Sequence, residues 1–443
     1  MTSSRVAPQP ASMALHGTVG RANRRRMARI SANPVTVAAI VLFFFLQFGL
    51  ISLVGLGDLI IGQELASALL LAGLCIAPFK RRQPGFSLSR IEDVFPISLF
   101  LLMIAVSYIS NNWIFGFGFE NWLLYSYVLI PALTYYLLWT YSVSARDIIV
   151  AVIIMGVISS IIVIFDAFFE FSALNTLQRY TNGTGVRRVT ILKNEVVLAC
   201  LFMLSEILGD KVKSFGRFLA ISGAVLTFYV VAFRFESRLA SLALVSALVP
   251  YVFSARKLSN RQRLYVIIGV ILIISVASSL CLYYIEPFLN QSVDDYIANN
   301  NVEIRIRANN YYLDYFYQTF GVGFGAMTLN INSGNFQAAG APIFYNIADL
   351  GIFGGLYQFG IGGLILIVGG TLTLVFRCLQ IGRMPYHPYR DEIRMVGCYV
   401  FGFMLQPIPM NFFTLNWTIL LGSTLWYLMR RAMWETKQLQ KSS

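Results

Sequence analysis

Three short stretches gather charge in a chain that is otherwise oily. The segment "RYTNGTGVRRVTILKNE", residues 179–195, carries Arg179, Arg187, Arg188 and Lys193 directly ahead of an apolar run. The turn "FRFESRLAS", 233–241, sets Arg234, Glu236 and Arg238 within five residues. In "EIRIRANNYYLDYF", 303–316, Arg305 and Arg307 stand two apart and Tyr311, Tyr312 and Tyr315 follow. Guanidinium groups grip phosphate through a rigid, often bidentate fork and keep their charge when partly desolvated. Several around one cavity suit a pyrophosphate, and at a membrane face a lipid-linked one. After the third stretch comes "TFGVGFGAM", whose glycines at 321, 323 and 325 permit a tight turn and close backbone approach.

Each stretch also has a plainer reading. Lys193 can snorkel, or pair with Glu195 for structure alone. Glu236 can hold one of its neighbouring arginines in a salt bridge. The tyrosines suit interfacial anchoring as well as sugar stacking. A charge close to hydrocarbon is nevertheless expensive unless it is paired or faces a wet cavity, which makes these residues functional candidates.

The elements that must position them are membrane spans. Of 443 residues 57% are hydrophobic and 12% charged, and the mean hydropathy is +0.66. Soluble domains carry about 25% charged residues, and many apolar stretches here approach or exceed the roughly 18–20 residues that cross a bilayer. The pattern predicts an all-α polytopic integral membrane protein with about 12 transmembrane helices and one long periplasmic loop. The spans fall at 35–57, 61–79, 94–110, 121–142, 147–169, 191–209, 215–233, 237–255 and 264–286. After the loop at 287–353 come 354–376, 394–412 and 414–430. Residues 1–34 read as a basic cytoplasmic tail rather than a cleaved signal, and 431–443 as a second cytoplasmic tail.

Charge bias fits this arrangement. With both termini inside, the tails and inner loops hold 26 of the 34 Lys and Arg residues, as the positive-inside rule requires. The eight exceptions are Arg179, Arg187, Arg188, Lys193, Arg234, Arg238, Arg305 and Arg307, the residues of the three stretches. Arginines confined to one face suit an enzyme better than a channel or transporter, which wants charge near the midplane and reachable from both sides. Five scattered cysteines and two histidines, His16 and His387, give no metal-ligand spacing. Walker and dinucleotide glycine motifs are absent, and no feature points to nucleic acid.

Four pieces, "RYTNGTGVRRVTILKNEVVLAC", "FRFESRLASLALV", "RIRANNYYLDYFYQTFGVGFGAM" and "YNIADLGIFGGLYQFGIGGLI", lie in order around the long loop. Together they resemble the O-antigen ligase/polymerase (Wzy/WaaL-like) superfamily of bacterial membrane glycosyltransferases over roughly 179–370. The resemblance implies a bacterial inner-membrane transferase whose donor is an undecaprenyl-diphosphate-linked oligosaccharide. It implies no nucleotide sugar, metal or other cofactor. A chain-length regulator and export proteins would be its partners.

By the same resemblance Arg238, and Arg305 or Arg307, bind the diphosphate with Arg187, Arg188 and Arg234. Tyr345 and Asn346 join the loop tyrosines around the sugar. Ligases of this kind carry a histidine just ahead of the last motif. Here that place reads "GAPIFYNIADLG", which turns the expectation towards a polysaccharide polymerase. In a polymerase the hydroxyl of one repeat displaces diphosphate from another, and a carboxylate can take the hydroxyl's proton. Glu236 and Asp349 are the candidates, with Glu303 behind them. A ligase acting on another acceptor, and a transporter or flippase for an anionic lipid-linked sugar, are the alternatives.

Overall fold

Uncharged runs rich in Leu, Ile, Val and Phe satisfy their own backbone groups as helices, the form a lipid surrounding demands. The computed structural model describes residues 32–48, 50, 59–76, 86–87, 89–114, 116, 118–169, 179–181, 187–189, 193–208, 214–234, 244–245, 247–248, 301–325, 350–384, 387–404 and 416–441. Its helices are α1 (Pro34–Gln47), α2 (Leu59–Ile76), α3 (Ile91–Ile109), α4 (Phe119–Ser126), α5 (Thr134–Thr140) and α6 (Ala145–Phe169). They continue with α7 (Lys193–Leu208), α8 (Ser214–Tyr229), α9 (Asn301–Gln318), α10 (Ile352–Gly382), α11 (Arg390–Met404) and α12 (Asn416–Lys441).

Among the described residues four helices are long and apolar enough to cross a bilayer: Ile91–Ile114, Ala145–Phe165, Phe215–Ala232 and Ile352–Gly382. Large side chains on them face outward, including Phe215, Phe218 and Val225 on α8 and Ile361, Ile365 and Phe376 on α10. Such faces would be a liability in water and suit a polytopic membrane protein.

The segment expected as one span at 121–142 is a jointed rod. Helix α4 passes into a 3₁₀ stretch, Tyr127–Leu133, and then into α5. Pro131 sits inside the 3₁₀ part, where it has no amide to give an α-helical ladder. The described residues are helical, as expected, apart from a short two-stranded antiparallel ribbon of β1 (Arg179–Thr181) and β2 (Arg187–Val189). The spans expected at 237–255 and 264–286 lie almost wholly outside the described residues.

At one end of the bundle the helix termini meet in a layer of paired charges. Arg146 at the start of α6 bonds Glu206 near the end of α7. Arg377 of α10 reaches Glu92 of α3 at 3.0 Å, and Arg431 of α12 meets Glu435 at 2.9 Å. The backbone amide of Asn33, ahead of α1, donates to Asp147 at 2.7 Å. These are the termini that the charge bias puts on a common side.

Helix α3 enters this layer with a break. Pro96 inside it has no N–H, so the Glu92 carbonyl loses its helical donor. The indole N–H of Trp426 on α12 donates to that carbonyl at 2.7 Å. One residue on, the Tyr136 hydroxyl inserts into the ladder. It donates to the Asp93 carbonyl at 2.9 Å and accepts from the Ile97 amide at 3.1 Å. The Asp93 side chain takes a two-pronged bond from Arg430, Nε to Oδ1 and Nη2 to Oδ2, each 2.9 Å. Tyr135 and the Ser87 amide also donate to it. Arg430 and Asp93 are both fully buried, and Trp426 stacks on Phe95 at 4.2 Å.

Candidate functional site

The opposite end of the bundle carries α9, the helix on which Arg305 and Arg307 fall. Helix α9 belongs to the long loop. Its Tyr312 and Phe316 are one turn apart and pack against Tyr357 near the start of α10, with ring centroids at 6.3 and 5.9 Å. The Tyr357 hydroxyl donates to Asn309 at 2.7 Å. Tyr312 also meets Phe324 edge-on at 5.5 Å. It is fully buried, and that burial pushes its phenol up from the ordinary tyrosine value. Tyr312 thus docks α9 on α10, whereas Tyr311 stays half-buried beside it.

The glycine turn after α9 is fitted to a break in α10. Gly360 departs from helical geometry, with φ 69° and ψ −171°. The Tyr357 carbonyl accepts the Phe324 amide at 2.9 Å. Gly321, Gly323 and Gly325 all have positive φ, at 75°, 98° and 74°, in the tight turn that the sequence pattern permits. A Cβ on Gly323 would stand 2.6 Å from the Gln358 carbonyl oxygen. The Gly323 carbonyl accepts from Ser110, in the π-helical turn Ser110–Ile114 that ends α3, and its amide donates to Thr319 at 3.2 Å.

Gly323→Ala is therefore expected to undock the turn. Backbone strain alone costs about 1–3 kcal/mol, before the collision with α10. The check is limited proteolysis of the purified protein, in which the variant is cut between 319 and 325 at protease levels that leave the parent whole.

Arg305 and Arg307, which spacing alone leaves equivalent, differ in place. Arg305 stands seven and eleven residues before Tyr312 and Phe316, on the same stripe of α9. Arg307 lies about 200° round the helix and is exposed. Tyr315 also belongs to α9. In the ribbon, Arg187 is opposite Thr181, Arg188 opposite Tyr180 and Arg179 opposite Val189. Three arginines thus share a ribbon three pairs long, and the chain leads from it into α7. Arg234 ends a second π-helical turn, Val230–Arg234, at the end of α8. Arg238, Glu236, Asp349, Tyr345 and Asn346 lie outside the described residues. Glu303 falls in the first turn of α9.

Sequence reasoning left one buried acid out of the site. Helix α7 runs antiparallel to α6, and the two are in register. From Glu206 back to Glu195, α7 rises about 16 Å, and from Arg146 to Gly156, α6 rises about 15 Å. At Gly156 the helices nearly touch: a Cβ there would lie 2.9 Å from the Glu195 carbonyl oxygen. Beyond Gly156, α6 continues for about another 20 Å, whereas α7 begins two residues above Glu195. The first turn of α7 therefore lies well below the end of its neighbour.

Glu195 in that turn is 3% exposed. Among the described residues no cation pairs with it, and Lys193 does not. From α11, the Tyr399 hydroxyl donates to Asn194 at 2.7 Å. The signal available in the sequence was "LKNE" abutting "VVLAC", an acid at the edge of an apolar run with its pairing undecided.

No protein-family model matches the sequence, and no curated protein matches it.

Proposed function

We propose that the chain is a polysaccharide polymerase. It joins undecaprenyl-diphosphate-linked oligosaccharide repeats at the periplasmic face of a bacterial inner membrane, for O-antigen, capsule or exopolysaccharide. In this reading about 12 helices span the membrane, both tails are cytoplasmic, and the charge-paired layer faces the cytoplasm. The observation that carries it is the end of the bundle opposite that layer. There α9, with Arg305 on its docked stripe, is fixed to α10 by a glycine turn shaped to a broken helix. Along the chain the basic ribbon precedes α7.

A hydroxyl of one repeat attacks the anomeric carbon of another, and the bond to diphosphate breaks. Arg238, Arg305 and the ribbon arginines take up the charge that develops on the leaving group. The docked loop holds the two sugars in line. The reaction needs no metal and no nucleotide sugar. A chain-length regulator and export proteins are the natural partners.

The test is incubation of the purified protein, in detergent, with lipid-linked repeat units and no nucleotide sugar. A ladder of glycan lengths is the expected product. Transfer to a distinct lipid or protein acceptor without a ladder would make the chain a ligase instead.

One observation favours a second reading. Glu195 lies about half-way along the α6–α7 pair, and α10 is broken at Gly360, features that also suit a transporter or flippase. Movement of lipid-linked sugar across proteoliposomes with no change in glycan length would establish that alternative.

A further inference from the structure

Three stripes run along α9, each one residue on from the last. Arg305, Tyr312 and Phe316 form the docked stripe. Ile306, Leu313 and Tyr317 form the next, about 100° round the helix, and Arg307, Asp314 and Gln318 the one after that. Steps of seven and then four residues keep each set on one face. The middle stripe is apolar. Ile306 is 50% exposed and Tyr317 69%, with Leu313 half-buried between them. Arg307, Asp314 and Gln318 are all exposed. Round the helix, protein contact gives way first to an uncovered apolar strip and only then to charge and amide. A free side divided in this way suits the boundary between lipid and water.

The end of α9 carries a stronger mark. Its last turn closes in a Schellman pattern. The Phe320 amide donates to the Tyr317 carbonyl at 3.0 Å, and the Gly321 amide to the Phe316 carbonyl at 2.9 Å. Phe320 therefore occupies the left-handed position, with φ 52°, where glycine is the usual residue. A bulky side chain there is an outlier that costs conformational energy. Phe320 is also 94% exposed, so packing against the described residues does not offset that cost. The strained backbone holds the ring outward.

Two rulers give the depth of that ring. The turn after Phe320 touches α10 at Gly360, where a Cβ would lie 2.5 Å from the Gly321 carbonyl oxygen. It touches α3 at Ser110, which bonds the Gly323 carbonyl. On α10, Gly360 is 17 residues from Arg377 in the charge-paired layer, or about 26 Å. On α3, Ser110 is 18 residues from Glu92, the acid that Arg377 holds, or about 27 Å. The hydrocarbon core of a bilayer is about 30 Å thick. Both helices therefore bring the turn to the far edge of that core. Ile361, the residue after Gly360, is exposed, so lipid reaches α10 at the same level.

We infer that α9 is an interfacial helix resting in the leaflet opposite the charge-paired layer. Phe320 is its anchor among the lipid chains, and Ile306 and Tyr317 lie at the headgroup boundary, where aromatic rings are favoured. The partner is the bilayer surface itself. The docked stripe then meets α10, the apolar stripe meets lipid and the polar stripe meets water. The height of Arg305 at the membrane is thereby set by lipid as well as by α10. The inference goes beyond the transferase reading and does not depend on it.

The test places a nitroxide spin label at Phe320→Cys and, separately, at Asp314→Cys, in the full chain carrying Cys75→Ser and Cys281→Ser. Cys200, Cys378 and Cys398 are buried. The protein is reconstituted in vesicles of phosphatidylethanolamine and phosphatidylglycerol without polyprenyl lipid. Collisions are read with oxygen, which concentrates in lipid, and with a water-soluble nickel chelate present on both sides. The label at 320 is expected to meet oxygen and be shielded from nickel, and the label at 314 to show the reverse. Nickel access at 320 equal to that at 314 overturns the inference, because the position is then in water. Shielding from both reagents also overturns it, since protein then covers the site. So does shielding from nickel that appears only once polyprenyl lipid is added, which would assign the ring to the donor's tail. A second measurement keeps Phe320 in place and labels Tyr317→Cys. Adding Phe320→Asp should shift that label towards nickel access, and no shift would remove the anchoring role.

Discussion

Replacing Arg305 by alanine is expected to slow glycan-ladder formation by about 10²–10³-fold, the cost of losing one preorganised group that stabilises developing charge. Arg307→Ala should leave the rate within about threefold, as a group outside the transition-state contacts would. The contrast rests on the helix that carries both. Tyr312 and Phe316 hold one stripe of α9 against Tyr357, and Arg305 stands on that stripe. Arg307 is on the far side and exposed. The turn after α9 is fixed by Phe324 and Gly323 to the α10 break, so the helix that carries Arg305 is held from its C-terminal side.

Arg305→Lys tests the chemistry separately. It keeps the charge and loses the planar fork, so it should recover only a small part of the rate. The measurement is the initial rate of ladder formation per folded molecule, with folding checked by size-exclusion profile. Equal losses from Arg305→Ala and Arg307→Ala would show that the docked stripe does not decide which arginine holds the leaving group.

The second large effect is on stability, at the other end of the molecule. Arg430→Met leaves the Asp93 carboxylate buried without its partner, and Asp93→Leu strands the guanidinium. Each should destabilise the fold by about 3–5 kcal/mol, because the remaining charge keeps its desolvation cost and loses its attraction. The double variant Asp93→Leu/Arg430→Met should recover most of this, since an apolar pair of similar volume carries no such cost. Thermal unfolding in detergent, followed by the loss of the monodisperse peak, reports the order of the three. A double variant no better than its worse single parent would mean that the pair holds α3 through geometry rather than charge balance. Tyr135 shares the Asp93 carboxylate, so Tyr135→Phe belongs in the same series as a milder case.

Much of the helical framework is legible in the sequence. Expected spans at 94–110, 147–169, 191–209, 215–233 and 354–376 correspond to α3, α6, α7, α8 and α10, because long uncharged runs have few other ways to satisfy a backbone. The charge bias likewise groups the termini that carry Glu92, Asp93, Arg146, Glu206, Arg377 and Arg430, and these pair as Arg377–Glu92, Arg430–Asp93 and Arg146–Glu206. The tight turn at Gly321, Gly323 and Gly325, all at positive φ, is one that glycine at those positions permits.

What escaped reading depends on partners far away in the chain. "GLYQFGIGGLI" looks like uninterrupted span, and only the docked turn, some 35 residues earlier in sequence, explains why a break at Gly360 is tolerated. Pro96 could be read as a kink, but not that Tyr136 and Trp426 would supply the missing bonds. The ribbon was signalled by Asn-Gly between short extended runs, and the surrounding apolar pattern masked it. For Glu195, proximity to Lys193 suggested a pair, whereas two residues on a helix point the side chains apart. Arg238, Glu236, Asp349, Tyr345 and Asn346 lie outside the described residues.

The Pro96 break also has a bearing on how the chain is made. Helix α3 is synthesised early, yet the donor for its Glu92 carbonyl and the cation for Asp93 both come from α12, more than 300 residues later. Until α12 emerges from the ribosome, the nascent protein holds an open carbonyl and a bare acid at the start of α3. A message truncated before Trp426 therefore yields a product whose N-terminal helices are never complete. Such a product leaves both groups open, and α12 is the element that closes them.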